Sequence, residues 1–385
     1  MYRGLSVGVL YLLLLFTAGC SSPPNDPVKI GVVLPLSGPF QIYGEQGLKG
    51  AKLAVEQINA AGGVLDGRSL ELIVRDNQTN PTLAVQQSRE LIQTENVFAL
   101  MGPVSSAARF AMSEVAEQHK TPLLYGIDYE GHHYNRYLIN YSIVPEHYIW
   151  PVVPYLMKHS GKKYFIFGYD YIWPHHMAEE ISRQVNKHGG EIKGVEFTPF
   201  DVTDYTPVFT RIKASGADNL MLILPGKDGF NFLNQMAAFD FERDIKTVAF
   251  AADETYLSQV EPEALEGVMT ALHFFSSWSN PVFDKFVKEY GIKFGKDKPV
   301  TYASKSHYDL VYFLESAIKK AGSIEQEKVI DAFEDLTLYA NEAEVRLRPD
   351  HHFDLPMFLA KFSVGELNVI ETLNTVSPKD QRHKR

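Results

Sequence analysis

Apolar runs of strand length alternate with amphipathic helical segments along most of the chain. Residues 29–36 form a short, mostly apolar run that leads into the sequence Ser-Gly-Pro, which is typical of a buried strand entering a loop. Apolar residues then recur at helical spacing from Leu48 to Ile58, and the glycines at 62–63 end that helix. The first block continues with predicted strands at 70–74, 97–101, 123–125 and 137–143 and predicted helices at 81–93 and 106–118.

A second block repeats the alternation with a different sequence. Its predicted strands are 163–167, 191–197, 220–224 and 247–251, and its predicted helices are 174–188, 206–214 and 228–238. Strands that alternate with helices favour parallel sheets that are covered by helices on both faces. The sequence therefore predicts an α/β fold built on parallel sheets.

The third block is mostly helical. One apolar stripe runs along residues 306–322, and another lies within 329–336. Two open sheets cannot easily bury these extra helices unless the chain returns to the first block. The predicted strands at 343–347 and 356–362 suit crossing segments and a final return to the second block.

Length and charge narrow the class of protein. The chain has 385 residues, of which 45% are hydrophobic, and this is enough apolar material for two lobes of ordinary domain size. The formal net charge is -10, and the basic residues are scattered except at the C-terminal end. This charge pattern argues against nucleic acid as a partner.

The N-terminal segment has the order of a signal peptide. Arg3 precedes an apolar stretch at 7–16, and small residues then lead directly to Cys20. Because the apolar stretch is short for a bilayer span, we expect residues 1–19 to be removed and the protein to be exported.

Cys20 is the only cysteine, so the mature chain cannot form an internal disulfide. Its position resembles the acylated cysteine of bacterial lipoproteins. A lipid on Cys20, followed by a linker at 20–27, would anchor the protein to the cell envelope on its periplasmic or extracellular side. A buried structural thiol is the alternative.

The sequence contains few features of an enzyme active site. It has no GxSxG elbow, Walker A loop or GxGxxG turn after a strand, and no set of nucleophile, base and orienting group is legible. The histidine pairs at 132–133, 175–176 and 351–352 do not suit a shared metal, because adjacent side chains diverge in strands and helices. We therefore predict a protein that is not an enzyme, with no cofactor and no metal site, whose paired histidines are solvated in loops.

Polar and aromatic residues follow several predicted strands. Ser105 and Ser106 open a predicted helix, where free backbone N–H groups favour a carboxylate or carbonyl oxygen; Ser106 as a plain N-cap is the alternative. Two loops supply the other candidates, which are Tyr125, Ile127, Asp128, Tyr171 and Trp173. In open α/β sheets ligands bind beyond the carboxyl ends of the strands. These residues therefore predict a binding slot with aromatic walls, with simple packing between lobes as the alternative.

Together these motifs resemble the periplasmic solute-binding proteins of the leucine/isoleucine/valine and amide/urea type, which feed ATP-driven importers. The resemblance runs from about Lys29 to about Phe362. The segments that carry it are Pro35-Leu-Ser-Gly-Pro39 with Tyr43-Gly44, Ile58-Asn-Ala-Ala-Gly-Gly63, Gly102-Pro-Val-Ser-Ser106, residues 125–131, Asp170-Tyr-Ile-Trp-Pro174, His188-Gly-Gly190 and Phe274-Phe-Ser-Ser-Trp-Ser-Asn-Pro281.

The resemblance implies two doubly wound parallel-sheet lobes that are joined by a three-segment hinge and close over a solute, the type I fold of this family. Lobe 1 would comprise residues 28–143 and 275–347. Lobe 2 would comprise 145–274 and 348–372, and a polar tail would follow at 373–385.

The resemblance also implies the class of ligand. Tyr43 belongs to the first motif of the site. Asp253 is similar to the acidic residue with which the amino-acid branch holds an α-ammonium group; a plain cap of the helical segment that begins near Glu254 is the alternative. The segments at 125–131 and 170–174 look more like the amide and urea branch. The expected ligand is therefore a small amino acid, amide or urea-like solute, delivered to the permease subunits of an ABC importer. A ligand-sensing receptor that acts on a signalling partner is the alternative.

Overall fold

The computed structural model describes residues 26–239, 241, 245–334, 336–339 and 344–382. The predicted signal peptide and the predicted lipidation site at Cys20 lie outside these residues. Within the described ranges, no helix is both long enough and apolar enough to cross a bilayer.

The first sheet has five parallel strands in the order β2-β1-β3-β4-β5. The strands are β1 (Val28–Leu34), β2 (Leu70–Asp76), β3 (Ala99–Met101), β4 (Leu123–Tyr125) and β5 (Leu138–Asn140). Three helices connect them, namely α1 (Gln41–Ala60), α2 (Pro81–Gln93) and α3 (Ser106–His119). Six of the seven residues of β1 are buried, as expected for a central strand of a sheet that is covered on both faces.

The second sheet has seven strands in the order β14-β13-β10-β9-β8-β6-β7. Its parallel strands are β6 (Lys163–Tyr169), β7 (Glu191–Thr198), β8 (Asn219–Ile223), β9 (Lys246–Ala249) and β10 (Met269–Leu272). Two antiparallel strands, β13 (Leu355–Ser363) and β14 (Glu366–Val376), extend one edge. Its helices are α4 (Pro145–His159), α5 (Ile172–Lys187), α6 (Thr206–Ser215), α7 (Lys227–Ala238) and α8 (Pro262–Leu265).

Three helices follow β10 and return to the first sheet. They are α9 (Pro281–Phe294), α10 (Tyr302–Ala321) and α11 (Gln326–Phe333). Helix α10 packs so closely along α1 that a side-chain carbon added at Gly50 would lie 1.9 Å from the backbone oxygen of Ser304. Only glycine fits this contact, which places the third block against the first lobe, as the sequence predicts. A separate antiparallel pair is formed by β11 (Thr337–Tyr339) and β12 (Glu344–Arg346).

The chain passes between the two sheets after β5, after β10 and after β12. Buried rings hold these three crossings together, since the ring centroid of Tyr141 lies 4.8 Å from that of Phe353 and 5.5 Å from that of His273. The backbone N–H of Asn140 also donates to the carbonyl oxygen of His351 at 2.9 Å. The predicted fold class, α/β with two parallel-sheet lobes joined by a three-segment hinge, is confirmed.

The sequence does not predict α4 or β14, and the predicted tail is wrong as a result. Strand β14 continues to Val376, beyond the predicted end of lobe 2 at 372. The following residues are also packed, because Gln381 is only 2% exposed and its backbone N–H donates to Asp350 Oδ2 at 3.0 Å. Arg348 donates to the carbonyl oxygen of Pro378 at 2.6 Å. Residues 377–382 therefore lie against the third crossing and do not form a free polar tail.

The expectation of solvated histidines is wrong for the third pair. His351 and His352 are completely buried in the third crossing. His352 contacts the Tyr129 hydroxyl through Nε2 and the Asp350 carbonyl oxygen through Nδ1. These side chains help to build the hinge.

Candidate ligand-binding cleft

The candidate site lies where the carboxyl ends of parallel strands from the two sheets face each other. The residues that border it enclose a cavity of about 20 Å³. They are Phe40, Tyr43, Val104, Ser106, Ile127, Asp128, Tyr171, Trp173, Pro225, Ala251 and Tyr302. A space of this size holds about one water molecule. A larger solute can therefore enter only when the two lobes separate.

The structure brings six of the nine predicted binding residues to this cavity. They are Tyr43, Ser106, Ile127, Asp128, Tyr171 and Trp173. The other three predicted residues, Ser105, Tyr125 and Asp253, do not border it. Their hydrogen bonds explain their positions.

Ser105 and Tyr125 hold the loops that carry the lining residues. Ser105 is the N-cap of α3, and its Oγ accepts a hydrogen bond from the Ala108 backbone N–H at 3.4 Å. The Tyr125 hydroxyl lies 2.8 Å from the carbonyl oxygen of Val104 and 3.2 Å from that of Asp128. It can therefore fix the loop before α3 against the loop after β4.

Asp128 is a buried carboxylate with one free oxygen. Its Oδ2 accepts hydrogen bonds from the hydroxyls of Tyr148 and Tyr302, the latter at 3.2 Å. Its Oδ1 is buried without a partner. Burial raises the pKa of Asp128 to about 7, the two tyrosine hydrogen bonds oppose this, and the charge of Asp253 adds to it. The carboxyl group is thus available to a hydrogen-bond donor in the cavity.

Asp253 follows β9 in the second sheet and is completely buried. Its Oδ1 caps the short helical turn Glu254–Ser258 by accepting from the Thr255 backbone N–H at 2.9 Å. This cap is the role that sequence reasoning alone also allows. Its Oδ2, however, is buried without a partner, and burial raises the pKa of Asp253 to about 6. Oδ1 of Asp253 therefore stabilises the helical turn, and Oδ2 makes no hydrogen bond within the described structure.

Aromatic contacts close the two lobes over the cavity. The Tyr43 hydroxyl, on α1, donates to the carbonyl oxygen of Ala251, beyond β9, at 3.0 Å. The Phe40 ring lies 6.2 Å from the Tyr171 ring and 5.7 Å from the Phe200 ring, between centroids. Trp173, at the start of α5, has a buried Nε1 without a partner. These contacts join residues that are far apart in sequence.

Sequence reasoning misses Tyr302 and Phe40. Helix α10 begins at Tyr302, where Thr301 and Ser304 form a reciprocal capping box. The apolar pattern predicts a helix that starts at Ser306, which leaves Tyr302 outside it. The spacing of Thr301 and Ser304 is the signal that could have corrected the start. Phe40 follows Pro39 in the first family motif and carries no polar group that would single it out.

A buried ion pair lies next to the site and was also not predicted. Arg109 is completely buried on α3, and its Nη2 donates to Glu130 Oε1 at 2.6 Å. The guanidinium carbon lies 4.2 Å from the ring centroid of Tyr129 and 5.8 Å from that of Tyr125. The positive charge of Arg109 is therefore matched within the protein.

Among the residues with described positions, no group of three or more His, Cys, Asp and Glu side chains could hold a metal ion. The arrangement of the cleft suits binding by hydrogen bonds, charge and aromatic contact.

The family model of the periplasmic binding proteins matches residues 27–366, and the chain belongs to this family. It is 24% identical over 350 residues to the "Leu/Ile/Val-binding protein homolog 6" of Brucella abortus, covering 89% of this chain and 88% of that protein. A shorter region of 102 residues is 35% identical to "Leu/Ile/Val-binding protein homolog 7" of the same species, and it covers 26% of this chain and 25% of that protein.

Solved structures show the same type I fold. The isoleucine complex of the branched-chain amino acid transporter substrate-binding protein LivJ from Streptococcus pneumoniae matches with a TM-score of 0.80 and 21% identity, over 90% of this chain and 99% of that chain. An ABC transporter solute-binding protein from R. palustris in complex with benzoate matches with a TM-score of 0.84 and 19% identity, over 93% of this chain and 100% of that chain. This is a family of solute-binding proteins, and membership implies export from the cytoplasm.

Proposed function

We propose that this protein captures a small amino-acid-like or amide-like solute outside the cytoplasm and delivers it to the permease of an ABC importer. The observation that carries the proposal is the free, buried Oδ1 of Asp128, a residue that borders the cavity between the carboxyl ends of two parallel sheets. A carboxylate in such a position favours a ligand with a donor or cationic nitrogen.

The charges around the cavity favour a nitrogen-containing solute over an aromatic acid such as benzoate. Asp128 borders the cavity, whereas no lysine or arginine of the described chain does so. A benzoate anion would place its charge near Asp128 without a cation to balance it. The backbone N–H groups around Ser106, at the start of α3, remain suited to a carbonyl or carboxylate oxygen at the other end of an amino acid or amide.

Capture requires the lobes to move. A solute shifts the balance between open and closed states only by its difference in affinity for the two. Residues from both sheets border the cavity, so a state in which the lobes close on the solute makes more contacts with it than an open state does. That state must have a larger cavity than the one of about 20 Å³ in this arrangement.

We expect a thermal-shift panel of amino acids, amides, urea, polyamines and benzoate to identify the solute. A solute that binds only the folded protein, at a hundredfold excess over its Kd, stabilises it by about 2.7 kcal/mol. This corresponds to a rise of several degrees in melting temperature. Small-angle scattering with the solute should show a smaller radius of gyration.

The proposal would be contradicted if benzoate raised the melting temperature and no nitrogen-containing compound did so. It would also fail if a saturating solute left the scattering profile unchanged.

Cys20 is proposed as the site of the lipid anchor, after removal of residues 1–19 as a signal peptide. Cys20→Ala should release the protein from the membrane fraction while its melting temperature and solute affinity stay as in the wild type. Fractionation of cells that express each form measures this. A variant that stays with the membrane, or a wild-type protein found free, would disprove the anchor.

A further inference from the structure

Asp128 and Trp173 border the cavity, and Asp253 follows the cavity-lining Ala251 by two residues. On these residues the buried polar atoms without a hydrogen-bond partner in the described structure are Asp128 Oδ1, Asp253 Oδ2 and Trp173 Nε1. The first two are acceptors, and the third is a donor. Buried polar groups in folded proteins are nearly always paired. Atoms left unpaired at the edge of a binding cavity therefore indicate where a ligand supplies the missing partner.

The two carboxylates approach each other from opposite lobes. Asp128 follows β4 of the first sheet, and Asp253 follows β9 of the second. Asp128 Oδ2 accepts from the Tyr302 hydroxyl at 3.2 Å, and the ring centroids of Tyr302 and Tyr43 are 6.4 Å apart. The Tyr43 hydroxyl donates at 3.0 Å to the carbonyl oxygen of Ala251, two residues before Asp253. Two tyrosine side chains therefore link the surroundings of the two carboxylates. Closure of the lobes therefore brings two negative charges together in a region that excludes water, which opposes closure unless positive charge enters with the ligand.

Within the part of the chain that the structure describes, no lysine or arginine borders the cavity to supply this positive charge. Arg109 is paired with Glu130 at 2.6 Å, and the buried Lys305 is paired with Asp309 at 2.6 Å between Nζ and Oδ1. Neither cation borders the cavity. The rings of Tyr171 and Trp173 on the wall of the cavity also suit a cation, which binds favourably over aromatic faces.

We infer that the solute carries two cationic nitrogens, one for Asp128 and one for Asp253, and an acceptor oxygen for Trp173 Nε1–H. This is the donor and acceptor pattern of a basic amino acid. The inference rests on the proposed function and narrows its class of solute.

Titration calorimetry with matched compounds tests this directly on the purified chain from residue 20 onward. Lysine and norleucine have nearly the same shape, and only lysine has the second amine. Lysine should bind at least tenfold more tightly, because a charged hydrogen bond to a buried carboxylate is lost in norleucine. Butane-1,4-diamine keeps both amines and lacks the carboxylate.

Variants then assign each contact. Asp128→Asn and Asp253→Asn should each weaken lysine at least tenfold, and at least one of them should reduce the preference for lysine over norleucine. Trp173→Phe should weaken lysine more than butane-1,4-diamine. Asp228→Asn is the matched control, since Asp228 is a buried carboxylate outside the cavity that accepts from the Asp201 backbone N–H at 2.7 Å. If an aspartate variant fails to fold, the inference is still tested by comparing lysine, norleucine and butane-1,4-diamine on the wild-type protein.

Each outcome has a separate meaning. Norleucine or leucine binding as tightly as lysine would overturn this inference and leave the proposed function intact. Binding of the diamine and of no amino acid would overturn the oxygen contact with Trp173 and the assignment to a basic amino acid. Binding of none of the nitrogen compounds in the panel would overturn both the inference and the proposed function.

Discussion

Arg109→Met should lower the free energy of unfolding by about 3–5 kcal/mol, because it leaves the buried carboxylate of Glu130 without its counter-charge. The side chain of Arg109 is 1% exposed and that of Glu130 is 9% exposed, so water cannot replace the lost contact. The variant also loses the contact of the guanidinium with the Tyr129 ring. Urea denaturation followed by circular dichroism measures the change, provided that unfolding is reversible.

Arg211→Met is the matched control for this prediction. Arg211 also pairs with a carboxylate, through Nε to Glu196 Oε1 at 2.7 Å, but its side chain is 52% exposed. An exposed pair of this kind is worth at most about 1 kcal/mol. Adding Glu130→Gln to Arg109→Met should recover part of the loss, because the unpaired charge disappears. If Arg109→Met and Arg211→Met lower the free energy of unfolding by the same amount, burial of the Arg109 pair does not add to its effect on stability.

The protein should lose stability steeply as the pH falls from 6 to 5. Burial lowers the pKa of five histidines to about 3 or 4, whereas the same residues titrate near 6.5 in the unfolded chain. They are His147, His273, His307, His351 and His352. The unfolded chain therefore binds more protons at these sites below pH 6.5, and stability is lost as the pH falls.

Buried carboxyl groups oppose this loss. Burial raises the pKa of Asp128 to about 7, of Asp253 to about 6 and of Glu254 to about 8, and it also raises the pKa of Asp309 and of Asp228. Their stabilising effect grows as the pH falls, because the folded state holds the protons. The five histidines outnumber the three carboxyl groups whose pKa rises to between about 6 and 8. Unfolding therefore takes up at most about two protons, which corresponds to about 2.7 kcal/mol per pH unit between pH 6 and 5.

A single histidine variant checks the origin of the acid sensitivity. His351 has a φ of 59°, which asparagine tolerates better than most residues. His351→Asn should make the dependence of stability on pH shallower by about one proton, as measured by urea denaturation at pH 5, 5.5 and 6. His188→Asn, at an exposed position, is the control and should leave the dependence unchanged. An unaltered slope in His351→Asn would show that its burial does not contribute.

The sequence predicts those helices and strands in which the order of apolar and polar residues matches the order of buried and exposed side chains. Strand β1 is continuously apolar because it is covered on both faces, so its pattern is visible without any tertiary information. Helix α4 is not visible in this way, since Pro151 and Pro154 within it read as breaks in a helix. Strand β14 is partly exposed and mostly polar, and only its pairing with β13 makes it a strand.

The same distinction applies to the cleft. Asp128, Tyr171 and Trp173 can be predicted because each closely follows a predicted strand, and the fold brings the ends of strands together. Tyr302 reaches Asp128 from 174 positions away along the chain, on a helix whose pattern shows only that it has an apolar face. The role of Tyr125 cannot be predicted from the sequence either. Its hydroxyl forms hydrogen bonds with carbonyl oxygens in two loops that meet only in the folded structure.

The small size of the closed cavity, about 20 Å³, determines how fast solute can exchange. Since a cavity of this size cannot hold an amino acid, the association rate of the solute depends on the fraction of molecules that are open. A solute over which the lobes have closed can leave no faster than the lobes open again. Residence time is then a property of the hinge and of the Phe40 and Tyr43 contacts more than of the solute's own affinity. A partner that separates the lobes would therefore set the rate of release without contacting the solute.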